Sequence, residues 1–180
     1  MLGLFIVLLS VVSGDPSAAA RAVVEEFCSR YVKQGEYGLL EGKNRRALAP
    51  LLSRWLLRQV DEFRSCQRDW VRQQPAGSTD KPPFVDCCLF SSVPGRMPTS
   101  TRSVRRKRWA DGRYRVVIDS FRKTQVDDIR WRDAVIVTKE NGRYRIDDVV
   151  YDFDAKPPRE PFLLSQGVRE CRGGRWVEGE

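Results

Sequence analysis

W-R-D-A-V-I-V-T-K-E-N-G-R-Y-R-I-D-D-V-V-Y, from Trp131 to Tyr151, reads as a β-hairpin. Two runs of apolar and polar alternation flank Asn141-Gly142, a pair that takes the positive φ angles of a tight two-residue turn. A similar pattern lies upstream, where Ser103–Trp109 and Arg113–Phe121 flank Ala110-Asp111-Gly112. Four strands in succession are therefore expected, joined by short turns as an antiparallel meander.

The amino-terminal half carries the helical period instead. Asp15-Pro16 is a helix start, an acceptor at the N-cap followed by proline where its missing N–H is harmless. Ala20, Val23, Val24, Phe27 and Tyr31 then recur on one face until Gly35. Glu36 to Lys43 reads as loop. Pro50 opens an expected second helix carrying Leu52, Trp55, Leu56, Phe63 and Trp70 on one side, ending before Pro75. Residues 75–101 are rich in Pro, Gly, Ser and Thr and read as an irregular crossover, long enough to need a staple or a function. Pro161 opens an expected short last helix to about Arg169, and 172–180 reads as a polar tail. Helices first and a meander second is the order of an α+β domain with helices on one side of its sheet. Period-two alternation puts Tyr114, Val116 and Ile118 on one face of their strand, and Tyr144, Ile146, Asp148 and Val150 on one face of theirs. With those sets turned to the helices, arginines such as Arg113, Arg115, Arg143 and Arg145 stud the outer face.

Composition narrows the setting. Met1 to Val12 is uncharged and apolar, too short to span a bilayer, which takes about 20 residues. With small residues at Val12-Ser13-Gly14 it fits the core of a signal peptide (residues 1–14), although no basic residue precedes it. Residues 15–180 then suit one domain in a periplasmic or secreted location. The chain holds 32 Lys and Arg against 24 Asp and Glu, a formal net charge of +8. That balance fits an anionic partner as well as a merely solvated surface. Export argues against nucleic acid.

Five cysteines, Cys28, Cys66, Cys87, Cys88 and Cys171, lie past the apolar start, and an oxidising compartment makes disulfides of such residues. The expected pairing joins Cys66 to Cys87 or Cys88, and Cys28 to Cys171. No histidine and no CxxC spacing occurs, so neither a metal nor another cofactor is expected. Nucleophile elbows and glycine-rich phosphate loops are absent too; Gly173-Gly174 sits in the tail.

Two elements carry a family likeness: A-x-x-V-V-x-x-F-x-x-x-Y-V from Ala20 to Val32, and W-x-D-A-V-I-V-x-x-x-x-G-x-Y-x-I-D-D-V-V-Y from Trp131 to Tyr151. Together they resemble secreted bacterial proteins of unknown function with a nuclear-transport-factor-like (cystatin-like) cone fold. The resemblance covers the first helix and the carboxy-terminal half. It implies a curved sheet of about four strands wrapped on the helices, with a pocket at the mouth, and it supplies no catalytic residue. Related cones such as ketosteroid isomerase and scytalone dehydratase are enzymes.

Two classes of function are thus in play. A binding protein would use a pocket of Tyr114, Trp131, Tyr144 and Asp148 for a small apolar ligand. Its second surface would be the basic run Arg105, Arg106, Lys107 and Arg108, where cations among aromatics suit an anionic partner. The plainer reading of that run is an edge strand guarded against sheet-to-sheet pairing. The alternative is an isomerase or hydratase in which inward-facing Asp148 is the general acid or base and Tyr114 or Tyr144 steadies an oxyanion. The plainer reading of Asp148 is a carboxylate paired or capping backbone near a strand end. The non-catalytic binding reading leads.

Overall fold

The computed structural model describes residues 15–34, 40–80, 98–109, 111–125, 128–151, 162–163, 171–172 and 175–176. The expected signal peptide, Gly35, and Cys87 and Cys88 lie outside the described residues. Helix α1 runs Pro16–Gln34. Asp15 caps it through Oδ1, which accepts the Ser17 N–H at 2.9 Å. Its buried face is Ala20, Val23, Val24, Phe27, Cys28 and Tyr31, the expected stripe with Cys28 added. Phe27 and Tyr31, one turn apart, stack at 5.6 Å between ring centroids.

The expected second helix is two. Helix α2 spans Gly42–Leu48 and passes into a 3₁₀ turn, Ala49–Leu51, before α3 begins at Arg54–Gln73. Leu52 belongs to neither. Its backbone is extended and bridges to Ile146, and the Ser53 N–H donates to the Ile146 carbonyl at 2.7 Å. The Ser53 hydroxyl caps α3, accepting the Leu56 N–H at 3.0 Å. Helix α3 buries Leu56, Val60, Phe63 and Cys66, while Trp55, expected on that face, is exposed. Arg45–Asp61 and Arg64–Glu41 ion pairs at 2.7 and 2.6 Å lace α2 and its approach to α3.

The meander forms as expected: β1 Ser100–Arg108, β2 Tyr114–Lys123, β3 Asp128–Glu140 and β4 Arg143–Tyr151 pair antiparallel in order. Asn141 and Gly142 both have positive φ, 50° and 78°, as the turn requires. A short fifth strand, β5 Phe162–Leu163, pairs with Val150 and Tyr151. These two residues stand where a last helix was expected; open backbone groups on β4 take them as a strand. The fold is α+β, with an open antiparallel sheet. A small hairpin, β6 Cys171–Arg172 with β7 Arg175–Trp176, packs on α3 where a polar tail was expected.

One disulfide joins Cys66 of α3 to Cys171 of β6, with Cα atoms 5.9 Å apart across 105 residues of sequence. That replaces both expected pairings. Cys66 is turned to the carboxy-terminal hairpin, and Cys28 is a buried free thiol on α1.

Two bulges re-aim side chains. In β4, Ile146 pairs with Val137 and Asp148 with Ile136, so Asp147 is an extra residue. In β1, Ser103 pairs with Ile118 and Arg105 with Val117, leaving Val104 as the extra residue. The core against the helices takes Tyr114, Val116, Ile118, Val135, Val137, Ile146, Val149 and Tyr151 from the sheet. The outer face is not simply arginine-studded. Val117, Ala134, Ile136 and Val150 form a second buried cluster there, with Trp109 packed against it. The signal lay in Ala134–Val137, a continuous apolar run of the kind found in strands buried on both faces.

Candidate functional site

Four residues were expected to line one pocket, and the strands distribute them over three places. Tyr114 and Tyr144 meet on the helix-facing side, edge to face at 5.7 Å between ring centroids. Lys139 Nζ lies 6.0 Å from the Tyr144 ring centroid. Burial, with Tyr114 beside it, raises the Tyr144 phenol above its ordinary pKa. Trp131 shares that face but pairs with Ser120, six residues along β2 from Tyr114. At about 3.3 Å per residue the two are roughly 20 Å apart.

Asp148 is on the other face. Without a bulge it would follow Tyr144 and Ile146 toward the helices. The extra residue at Asp147 reverses the alternation, so Val149 turns inward, and Asp148 shares the outer side with its partner Ile136 and with Val150. Its carboxylate is buried and accepts the N–H of Val149 at 2.8 Å. The constellation of an inward acid beside Tyr114 and Tyr144 is not assembled.

The basic run occupies the sheet edge. Arg105, Arg106, Lys107 and Arg108 pair in register with Val117, Val116, Arg115 and Tyr114. Lys107 and Arg108 are exposed. Beyond the turn, Arg113 is held by Asp111, 2.7 Å from Nε to Oδ2, and stacks 5.0 Å over Trp109.

Among the described residues a cavity lies elsewhere, between α1 and β1. It is a cleft of about 430 Å³ lined by Val24, Glu25, Cys28, Ser29, Val32 and Lys33 from the helix, and by Ser100–Ser103 from the strand. The helical residues are pairs one turn apart, a continuous stripe facing the strand. At one end the Glu25 carboxylate bridges the walls, accepting from Ser103 Oγ at 2.8 Å and from Arg21 Nε at 2.7 Å. Those two partners, Arg21 first, hold the Glu25 carboxyl below its usual pKa. Cys28 forms the floor. Burial pushes its thiol up to about 11, so it is a neutral group at physiological pH. Lys33 and Arg102 line the same cleft, Arg102 with Asp119 4.0 Å away.

The cleft was missed in the sequence because its two walls are about 70 residues apart, and only α1 docking beside β1 brings them together. Its one local trace is the hydroxyl-rich S-T-R-S at Ser100–Ser103, a strand unusually poor in apolar residues.

Among the described residues, no cluster of acids and cysteines gathers to hold a metal. No helix among them is long and apolar enough to cross a membrane. No protein-family model and no curated protein matches the chain. In structure it is similar to a protein of unknown function from Bacteroides thetaiotaomicron, at 21% identity and a TM-score of 0.37. That likeness covers 74% of this chain and 89% of the other.

Proposed function

We propose that the protein is an exported, non-catalytic binding protein, and that the α1–β1 cleft with the adjoining basic strand is one recognition surface for an anionic ligand. The observation that carries this is the juxtaposition of a cleft of about 430 Å³ with the run Arg105–Arg108 on the same strand. Ligand sites commonly occupy roughly 300–1,000 Å³ and combine apolar walls with a few placed polar groups. Val32, with Cys28 at the floor, supplies the first kind of surface, and Ser29, Lys33, Thr101 and Arg102 the second. Export is supported by the signal-like amino terminus and by the disulfide, which oxidising compartments favour. A cone with a pocket at its mouth remains part of this reading only as an architecture. The enzyme alternative loses its support with Asp148 on the outer face.

A panel of aryl carboxylates and aryl phosphates, read by amide chemical-shift changes, tests the reading. Members that bind should perturb Cys28–Lys33 and Ser100–Ser103, and Ser29→Trp should erase the effect by filling the cleft from an exposed helix position. A panel with no effect, or with the same effect on Ser29→Trp, would sink it.

A further inference from the structure

We infer that the partner taken by this cleft is an extended, acidic peptide segment, which adds to the edge of β1 that no described segment pairs, along Ser100–Ser103, as a further antiparallel or parallel strand. This rests on the binding reading above and names its partner. Four observations lead to it.

The first is the edge itself. Among the described residues β1 is hydrogen-bonded to β2 alone, so half of its backbone N–H and C=O groups point away from the sheet. An extended segment can pair with such groups, which is how strand addition obtains affinity from main-chain hydrogen bonds. The second is where the protection sits. A bulge and a row of cations are the usual devices that stop an edge from pairing. Here the bulge is at Val104 and the cations follow it at Arg105–Arg108. Ser100–Ser103 has neither device except Arg102, and it is this stretch that borders the cleft.

The third is the opposite wall. Alternate side chains of an added strand project to one face. On that side they would meet the α1 stripe, with Val32 and the edge of buried Cys28 available to apolar residues and Ser29 and Lys33 to polar ones. The fourth is charge. Glu25 is occupied by Arg21 and Ser103, Lys33 lines the cleft beside Arg102, which has Asp119 4.0 Å away, and the sequence continues the strand with four cations, Arg105–Arg108. A partner with acidic residues running past Ser103 is matched along the whole strand. A second copy of this chain, paired antiparallel about Ser100–Ser103, would set the two cationic runs at opposite ends and supply no acidic run to either, so an acidic segment is the better match.

The experiment uses a fluorescein-labelled octapeptide of alternating Val and Glu, and the same peptide with every second backbone amide N-methylated. Binding to the full chain is followed by fluorescence anisotropy at low and at physiological salt, with amide hydrogen exchange as the positional readout. The unmodified peptide should bind, slow exchange along Ser100–Ser103, and weaken as salt rises. N-methylation should weaken it at least about tenfold, the expected effect of losing two ordinary hydrogen bonds. The triple variant Arg105→Glu, Arg106→Glu, Arg108→Glu should flatten the salt dependence. Equal affinity of the N-methylated peptide, or unchanged exchange at Ser100–Ser103, overturns strand addition. If the peptide fails to bind while aryl anions still lose their cleft signals in Ser29→Trp, the peptide inference falls and the cleft reading stands. If both fail, both fall.

Discussion

The two long edges of the sheet are finished in opposite ways. Along β4 the chain closes its own edge: β5 pairs with Val150 and Tyr151, and Leu52 and Ser53 pair with Ile146 further along. Along β1 no described segment does so, and a bulge, a cationic run and a cleft take the place of a partner strand. Both edges contain one extra residue, but its use differs. In β4 the bulge at Asp147 turns a carboxylate away from the helices so that Val149 and Tyr151 can pack on them. In β1 the bulge at Val104 divides the strand into a hydroxyl-rich part against α1 and a cationic part beyond. An edge sealed by its own chain contributes to stability; an edge left open is where a partner can be recognised.

If that division is right, damage on the β4 side should cost stability. Ile146 is fully buried and is the residue on which the Leu52 bridge rests. Ile146→Ala should lose about 2–5 kcal/mol in urea unfolding, from lost transfer and a cavity. A loss under ~1 kcal/mol would mean that the closed edge does not anchor the core. Breaking the Cys66–Cys171 bond should rank next. It closes a span of 105 residues, and a native disulfide typically contributes about 2–4 kcal/mol. Cys66→Ser and Cys171→Ser should therefore behave alike, and alike with reduced wild type. A single variant much worse than its partner would show strain from the replacement itself.

The β1 side offers a pH test. The Cys28 thiol has its pKa raised to about 11 in the folded chain, against an ordinary 9.0, first because it is buried and then because Glu25 is near. Below pH 9 the thiol is neutral folded or unfolded, and its burial costs nothing electrostatic. As pH rises through 9 and toward 11, the unfolded thiol ionises first, so stability falls. By the ordinary scale of about 1.4 kcal/mol per pKa unit, roughly 2–3 kcal/mol should go over that window. Cys28→Ala should remove this slope. An equally steep loss in Cys28→Ala would assign the alkaline decline to other groups. A ligand seated over Cys28 should also slow its alkylation.

Much of this architecture was legible. The turn at Asn141-Gly142, the α1 face and the β4 limits come directly from local chemistry: positive-φ residues, a 3.6-residue period, and alternation ended by Tyr151. The elements that escaped are those decided by distant partners. Leu52 has the hydrophobicity of a helix residue, but it bridges to Ile146 of β4, whose carbonyl takes the Ser53 N–H, and this extended stretch splits the expected helix. Bulges leave no mark in a pattern of alternation, so Asp148 reads inward until the pairing of Ile136 is known. Cysteine partners follow from where α3 and β6 meet, which no spacing encodes. The cleft depends on helix docking in the same way.

The smallest effect expected on the β4 side is also the most selective. Ser53 joins two structures with different atoms: its backbone N–H donates to the Ile146 carbonyl, and its hydroxyl accepts from Leu56 at the start of α3. Ser53→Ala removes only the second contact. An N-cap of this kind is worth about 1 kcal/mol, within a range of roughly 0.5–2, and the site is buried, so water does not readily replace the lost acceptor. The variant should therefore lose ~1–2 kcal/mol, with faster amide exchange at Leu56 and unchanged protection at Ser53 itself. If protection at Ser53 also collapses, the cap and the closed edge are one cooperative unit, because the start of α3 is then what holds Leu52 and Ser53 against β4. If only Leu56 responds, the edge is sealed by main-chain pairing alone, and the contrast with β1 reduces to the presence or absence of that pairing.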